Sequence, residues 1–275
     1  MNRSRTLARS LTIAISAIAA LALFASSASA REPAPGLGQF AGCPSPEENP
    51  TTTLCLRSVI TGGHFKMGSK DVPIENPITL SGGVNESTGK VFASPKGGLT
   101  PVKQKVPGGV IGLTGLTWLL ELLGSEALTL YAVTELAGQP SNVTFGTVTL
   151  PIKVHLVNST LGNNCYVGSV SNPIVLNLTV GTTSPPPPNK PITGKEPEVS
   201  VTINPEIIHA DKGTYVDNSF AAPGASGCVL TLFGFIPISI NGLVNSQSGL
   251  PAAAGTNETV QNFNAEIAGQ STVYP

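Results

Sequence analysis

The sequence predicts an all-β protein, an antiparallel sandwich or barrel-like fold with one short helix and disulfide cross-links. Three observations favour this class. Apolar and polar residues alternate in several short segments, clusters of glycine and proline separate those segments, and the number of cysteines is even. Short strands with one apolar face, joined by tight turns, are typical of sandwiches and barrels.

The clearest strand runs from Thr147 to Val157, where every second residue is apolar. This period of two predicts a strand with one dry face. The same alternation occurs at residues 174–180 and 199–203. Shorter strands are predicted at residues 55–61, 77–80, 127–136 and 229–240. Glycine and proline clusters such as 81–83 and 107–109 mark the turns between them.

One segment breaks the strand pattern and predicts the short helix. Residues 117–123 contain strong helix formers, and Gly124 ends the run. The segment carries Trp118, the only tryptophan. Packing in the core is the favoured role, and contact with a lipid surface is the alternative. Glu121 and the preceding glycines exclude a membrane-spanning helix at this point.

The N-terminal residues 1–30 predict a signal peptide. Arg3, Arg5 and Arg9 precede an apolar run at residues 11–24, and residues 28–30 (Ala-Ser-Ala) supply a cleavage site. The apolar run is shorter than the roughly 20 residues that span a bilayer, which disfavours a membrane anchor. Residues 269–275 lack an apolar tail, so we expect a mature protein with no transmembrane segment, secreted or loosely associated with the cell wall.

The composition argues against a nucleic-acid partner. The mature part has 12 basic against 16 acidic residues, a net charge near −4, and its lysines are scattered. Binding to phosphates depends on clustered lysine and arginine. Charged residues make up 11% of the chain, against about 25% in an average soluble domain. Such a weakly charged composition suits an extracellular β protein.

The four cysteines, all in the mature part, predict two disulfides. Four cysteines allow three connectivities. The pairing Cys43–Cys55 with Cys165–Cys228 is favoured because the first two residues are close and flank a loop rich in proline, asparagine and threonine. A zinc site is disfavoured because no Cys-x-x-Cys pair exists. No cofactor is expected.

The mature chain divides into an N-terminal disulfide loop at residues 31–55 and a single β domain at residues 56–275. Residues 181–198 include four consecutive prolines and look like a polyproline linker. The favoured Cys165–Cys228 bond crosses this stretch. We therefore interpret residues 181–198 as a stiff crossover within one fold.

Several segments of the mature chain are distinctive as motifs. They are Gly-Asn-Asn-Cys-Tyr-Val-Gly-Ser at 162–169, Asn-Pro-Ile-Val-Leu-Asn-Leu-Thr at 172–179, Val-Asp-Asn-Ser-Phe-Ala-Ala-Pro-Gly at 216–224, and shorter strings at 65–68, 106–109, 154–158 and 182–186. Through these motifs, residues 56–256 resemble a group of secreted actinobacterial proteins of unknown function. The resemblance implies export, and it implies no catalytic or binding residue.

The residues that carry chemistry are few and scattered. Among the three histidines, His155 is expected on the polar face of a strand and His64 in a turn. His209 lies near Glu206 and Asp211, but on one exposed turn such a set is usually a polar loop, and a divalent metal needs three or more converging ligands. A Gly-x-Ser-x-Gly nucleophile motif is absent. The sequence therefore assigns no catalytic or metal-binding residue.

Three functions remain open. The favoured one is a secreted, non-catalytic envelope or extracellular protein that binds a surface polymer, a lipid or a protein partner. A second is a β protein that contacts lipid or forms a pore or groove, using residues 108–123 and 229–240. A third is a secreted hydrolase with a site assembled from distant residues such as His209 and Asp217.

Overall fold

β-Strands make up 45% of the protein in the computed structural model, which describes residues 31–117, 128–232 and 236–275. All pairs among the described strands are antiparallel. The strands are β1 (Leu54–Met67), β2 (Lys70–Pro73), β3 (Ile78–Asn85), β4 (Lys90–Phe92), β5 (Gly98–Leu99), β6 (Lys103–Lys105), β7 (Tyr131–Leu136), β8 (Thr147–Val157), β9 (Tyr166–Val167), β10 (Ile174–Thr179), β11 (Glu198–Ile203), β12 (Glu206–Asp217), β13 (Ala225–Ser226), β14 (Val229–Leu232), β15 (Ile236–Ser239) and β16 (Glu258–Gly269).

The described residues also form three short α-helices, α1 (Gly109–Thr114), α2 (Asn241–Ser248) and α3 (Gln270–Val273), and a 3-10 helix at Gly38–Phe40. Each of α1 and α2 ends at a glycine in the left-handed conformation, Gly115 and Gly249. Glycine adopts this conformation without the steric cost that a Cβ atom brings. None of the described helices is long and apolar enough to cross a membrane.

One large antiparallel sheet of 14 strands dominates the structure and curls into a half-barrel. Its central path runs in the order β13, β9, β8, β10, β12, β16, β1, β3 and β4. On the far side of β8, β7 pairs with β8, and β6 pairs with β7. Three further strands pair with strands of the central path: β11 with β12, β2 with β1, and β5 with β3. The strands β14 and β15 form a separate hairpin.

The two margins of the curled sheet approach each other where β6 meets the connection between β2 and β3. Gln104 of β6 accepts hydrogen bonds from the backbone N–H groups of Glu75 and Asn76, both at 3.0 Å. Its amide nitrogen donates in turn to the backbone oxygen of Asn76 at 2.6 Å. The side chain of Gln104 is buried, and it ties the two margins together through backbone groups.

Two β-bulges bend the wall that contains β1, β12 and β16. The register of β1 against β16 shifts between Ile60 and Gly62, and that of β12 against β16 shifts between Ala210 and Gly213. Bulges increase the local bend of a strand. At the second bulge, a Cβ atom on Gly213 would lie 2.4 Å from the ring of Phe263. Glycine is therefore required for this ring to pack against the backbone.

The N-terminal and C-terminal segments pack together on the outer face of the sheet in a terminal cluster. Its buried members are Leu37, Phe40, Cys43, Cys55, Ile207, Ala268, Val273 and Tyr274. The hydroxyl of Tyr274 donates to the backbone oxygen of Cys43 at 2.7 Å, and the amide of Gln270 donates to that of Pro44 at 2.8 Å. Residues 31–55 are thus bonded to the last residues of the chain.

The disulfides are Cys43–Cys55 and Cys165–Cys228, the pairing that the sequence favoured. The first lies in the terminal cluster and joins the N-terminal segment to β1. The second is also buried and joins the segment before β9 to the segment before β14.

Residues 181–198 run between β10 and β11. Asn189 binds the backbone oxygens of Asn218 and Asn257 there, so this crossover is attached to the fold.

The strand predictions differ in outcome. The prediction at Thr147–Val157 is confirmed to the residue as β8. The segment 229–240 forms the two strands of a hairpin instead of one strand. The expected polar turn around Glu206, His209 and Asp211 is wrong, since these residues belong to β12. The expected turn at His64 is likewise wrong, because β1 continues through its bulge to Met67. Residues 1–30 and 118–127 lie outside the described residues.

Candidate functional site

The interior of the curled sheet contains an apolar cavity of ≈110 Å³. Strands from opposite sides of the curled sheet contribute to its lining, among them β1, β8 and β12. Leu113 of α1 and the α2 residues Val244 and Ser248 close one end. The lining is mainly aliphatic, together with the aromatic ring of Phe65 and the thioether of Met67. Its polar members are Ser58, Lys70, Gln104, Thr134, Tyr215, Ser248 and Gln261.

The strand β8 supplies the longest continuous part of the cavity wall. Its inward residues Val148, Leu150, Ile152, Val154 and Leu156 all line the cavity. Because side chains alternate across a strand, one apolar face of β8 covers eight residue steps, or about 26 Å at ~3.3 Å per residue. The apolar period of two in the sequence is therefore the origin of the cavity wall.

A second cavity of ≈240 Å³ adjoins the first. The two cavities share the wall residues Ser58, Leu80, Val148 and Tyr215. Val148, near the start of β8, lines both cavities, whereas Leu156, near the end of β8, lines only the first. The second cavity therefore extends the apolar interior away from α1 and α2.

Tyr215 lies between the two cavities and is stacked on Phe263. The ring centroids are 4.0 Å apart and the ring planes differ by 14°. Burial raises the pKa of Tyr215 to about 12, because the phenolate form loses its hydration in this apolar interior. The Tyr215 hydroxyl has no hydrogen-bond partner among the described residues, although it belongs to the wall of both cavities.

Exposed apolar residues lie at and beside the end of the second cavity that faces away from α1 and α2. Phe145, in the β7–β8 connection, lines this cavity and is 59% exposed. Ala210 of β12 lines it as well and pairs with Val199 of the neighbouring edge strand β11. Val199, Val201 and Ile203 of β11 share one face and are exposed. The dry face that the sequence predicted for residues 199–203 therefore faces solvent.

His209 and Asp217 of the hydrolase hypothesis lie at separate places on β12. They are eight residues apart, or about 26 Å along an extended strand. The carboxylate of Asp217 is completely buried and accepts hydrogen bonds from the backbone N–H groups of Asn177 and Ser219 and from the Ser219 hydroxyl. These hydrogen bonds to Asp217 thus hold neighbouring strands and turns together.

The histidines occupy the outer face of the sheet and contact carboxylates. The Nδ1 atom of His209 is 3.8 Å from Glu266. His155 lies 3.5 Å from Glu135 and stacks on Tyr166. Within the ranges that the structure describes, no group of three or more His, Cys, Asp or Glu residues is arranged to hold a metal ion.

The His64 ring lies between carboxylates. Its Nδ1 atom is 3.0 Å from Asp71 of β2, and its Nε2 atom is 3.5 Å from Glu258 of β16. All three side chains are partly or largely exposed to solvent. Polar contacts at such exposed positions stabilise a fold only slightly.

The two segments of the lipid-contact hypothesis are described in part. Within residues 108–123, the structure describes α1 and the cavity-lining Leu113. The prediction of a helix at 117–123 lies almost wholly outside the described residues. Within residues 229–240, β15 exposes Ile236 and Ile238. This hairpin therefore presents apolar side chains to solvent.

Sequence reasoning missed the cavity and two of its polar residues, Lys70 and Ser248. The lining residues come from segments as distant as Ser58 and Gln261, and no local pattern connects them. One signal was present: the inner faces of β8 and β10 are dry over their whole length. An apolar strand face is normally covered by other parts of the protein or by a ligand, and here the two faces line a cavity.

No protein-family model, curated protein or solved structure matches the chain. A functional proposal for this protein therefore begins with the cavity and its lining residues. Those residues form a long apolar interior with few polar groups, a lining typical of sites for apolar ligands.

Proposed function

We propose that this protein binds a long apolar chain, such as the acyl chain of a lipid, inside its curled sheet and acts outside the cytoplasm without catalysis. The observation that carries the proposal is the apolar cavity whose wall includes the whole inner face of β8. The adjoining second cavity extends the same apolar interior. The predicted leader and the two disulfides support export.

The physical reason is that apolar walls around empty space lack contact partners. Side chains that face a void lose dispersion contacts on that side. An engineered cavity of about 150 Å³ with aliphatic and aromatic walls stays dry and takes up benzene. An apolar chain that enters the interior restores such contacts and removes its own surface from water, at about 25 cal/mol per Å².

Filling the cavity tests this proposal. Ala132 of β7 lines the cavity, so the substitution Ala132→Phe places a ring in the space that the ligand takes. Val175 of β10 lies on the outer face, between the inward residues Ile174 and Leu176, and is exposed. Val175→Phe is therefore the matched control, because it adds a ring outside the cavity.

The measurement is displacement of the neutral fluorescent probe N-phenyl-1-naphthylamine by hexadecanol, with the full chain produced by export so that both disulfides form. We expect saturable binding by wild type and by Val175→Phe, and at least tenfold weaker binding by Ala132→Phe. Circular dichroism checks that each variant is folded. Equal binding by folded Ala132→Phe and by wild type would place the ligand elsewhere, and absence of binding by wild type would refute the proposal.

A further inference from the structure

A charged residue in the lining of the first cavity indicates the class of ligand. Lys70 is the one charged residue among the described residues that line this cavity. It forms no salt bridge with a described carboxylate, whereas its neighbour Asp71 lies on the opposite face of β2 and contacts His64. An apolar interior with one cation favours an anionic group on the molecule that enters it.

Lys70 contacts α1, and the residue before it contacts the end of α2. Its ammonium group donates a hydrogen bond to the backbone oxygen of Gly112 in α1. The preceding residue, Ser69, donates from its backbone N–H to the backbone oxygen of Ser248 at 2.9 Å, at the end of α2. An ammonium group has three N–H donors. Gly112 takes one of them, which leaves donors for a ligand at this end of the cavity.

Ser248 provides a second polar group at the same end of the cavity. The residue is 2% exposed and lines the cavity beside Val244. Its hydroxyl is buried and has no hydrogen-bond partner among the described residues. A buried hydroxyl without a partner destabilises a fold. A ligand atom that accepts a hydrogen bond from Ser248 removes that cost.

Resting on the proposed function, we propose that the ligand is a long-chain fatty acid whose carboxylate binds Lys70 and Ser248. The ammonium group and the hydroxyl donate hydrogen bonds to the carboxylate oxygens. The acyl chain runs from the helical end along β8 towards Tyr215 and the second cavity. This direction follows from the lining, because neither Lys70 nor Ser248 lines the second cavity.

The test compares palmitate with hexadecanol, which has the same chain length and no charge. Both compete for the neutral probe on the full chain produced by export, at pH 7.5. A charge-assisted hydrogen bond contributes more than a neutral one. We therefore expect wild type to bind palmitate at least tenfold more tightly than hexadecanol.

Two variants and a control test which residues cause the preference for palmitate. Lys70→Met keeps most of the length of the side chain and removes its charge, so palmitate should bind about tenfold more weakly, while hexadecanol binding should change much less. Ser248→Ala should weaken palmitate binding several-fold. Lys66→Met is the matched control, because Lys66 is exposed on the outer face of β1, and it should keep the wild-type preference.

The outcomes separate the two proposals. If wild type binds neither compound, the proposed function fails. If wild type binds both compounds equally, or if Lys70→Met keeps the preference for palmitate, the apolar site stands and the carboxylate site is wrong. A preference that is lost in Lys70→Met and kept in Lys66→Met supports the carboxylate site.

Discussion

The terminal cluster and the interior of the curled sheet are both apolar, but they are built differently. In the terminal cluster, Phe40, Cys43 and Cys55 are completely buried, and the hydroxyl of Tyr274 has a partner. None of the described members of this cluster lines either cavity. In the interior, the wall of β8 faces open space, and Ser248 leaves a buried hydroxyl without a partner.

This difference indicates that the terminal cluster contributes mainly to stability and that the interior is suited to binding. Filled apolar regions with paired polar groups stabilise the native state. An apolar region that keeps space and unpartnered polar atoms gives up part of that stabilisation. Proteins accept such losses mainly at functional sites. The interior is therefore the candidate site, whereas the terminal cluster attaches residues 31–55 and the C-terminal residues to the sheet.

The largest expected effect on stability comes from the terminal cluster. Truncating a buried phenylalanine costs about 3–5 kcal/mol in a well-packed core. Phe40→Ala should therefore lower the free energy of unfolding by about 4 kcal/mol, as measured by urea denaturation. The folded fraction should bind hexadecanol as wild type does. A loss below about 1 kcal/mol would contradict the description of this cluster as filled.

The next effect concerns alkaline pH and Tyr215. Below pH 10 this residue is protonated in both the folded and the unfolded state. Between pH 10 and the folded-state pKa of about 12, only the unfolded state loses the proton, so stability falls as pH rises. The two-unit shift corresponds to about 3 kcal/mol. Tyr215→Phe should remove this part of the loss in denaturation curves recorded between pH 9 and pH 12.

One result in these pH-dependent denaturation curves would contradict the burial of Tyr215. If Tyr215→Phe loses as much stability as wild type over this range, the Tyr215 side chain is hydrated and the two cavities are wet at their junction. Near pH 7 the substitution should have a small effect, since the hydroxyl has no described partner whose hydrogen bond is lost.

The smallest expected effect belongs to the cavity wall. Leu176 of β10 is 1% exposed but lines the cavity, so part of its surface already faces space. Leu176→Ala should cost about 2 kcal/mol, the lower end of the range for such truncations, in the same urea assay. A cost larger than that of Phe40→Ala would mean that the wall is packed as tightly as the terminal cluster.

Local regularity explains which parts of the fold were predictable. The segment Thr147–Val157 has apolar residues on one face and largely polar residues on the other, and it was predicted to the residue. The pairing Cys43–Cys55 followed from short spacing. By contrast, β1 was predicted only at residues 55–61, because Gly62 and Gly63 look like a turn. Gly63 has a positive φ of 114° and allows the strand to continue through a bulge.

Tertiary position explains what the sequence did not show. The alternation at residues 199–203 predicted a dry face, but β11 pairs with β12 at the rim of the half-barrel, where that face meets solvent. The cavity depends on how far the two walls stand apart, which no local period encodes. Lys70 and Ser248 line the same cavity although they are far apart in the sequence, because the β1–β2 turn is bonded to the end of α2.

Native mass spectrometry of the exported, purified protein tests the central claim most directly. If the interior binds an apolar chain, the protein should carry a lipid that is released on denaturation, or it should take up one equivalent of palmitate or hexadecanol after lipid removal. Occupancy should be lower for Ala132→Phe than for Val175→Phe. A wild-type protein that is free of ligand and takes up neither compound would contradict the account.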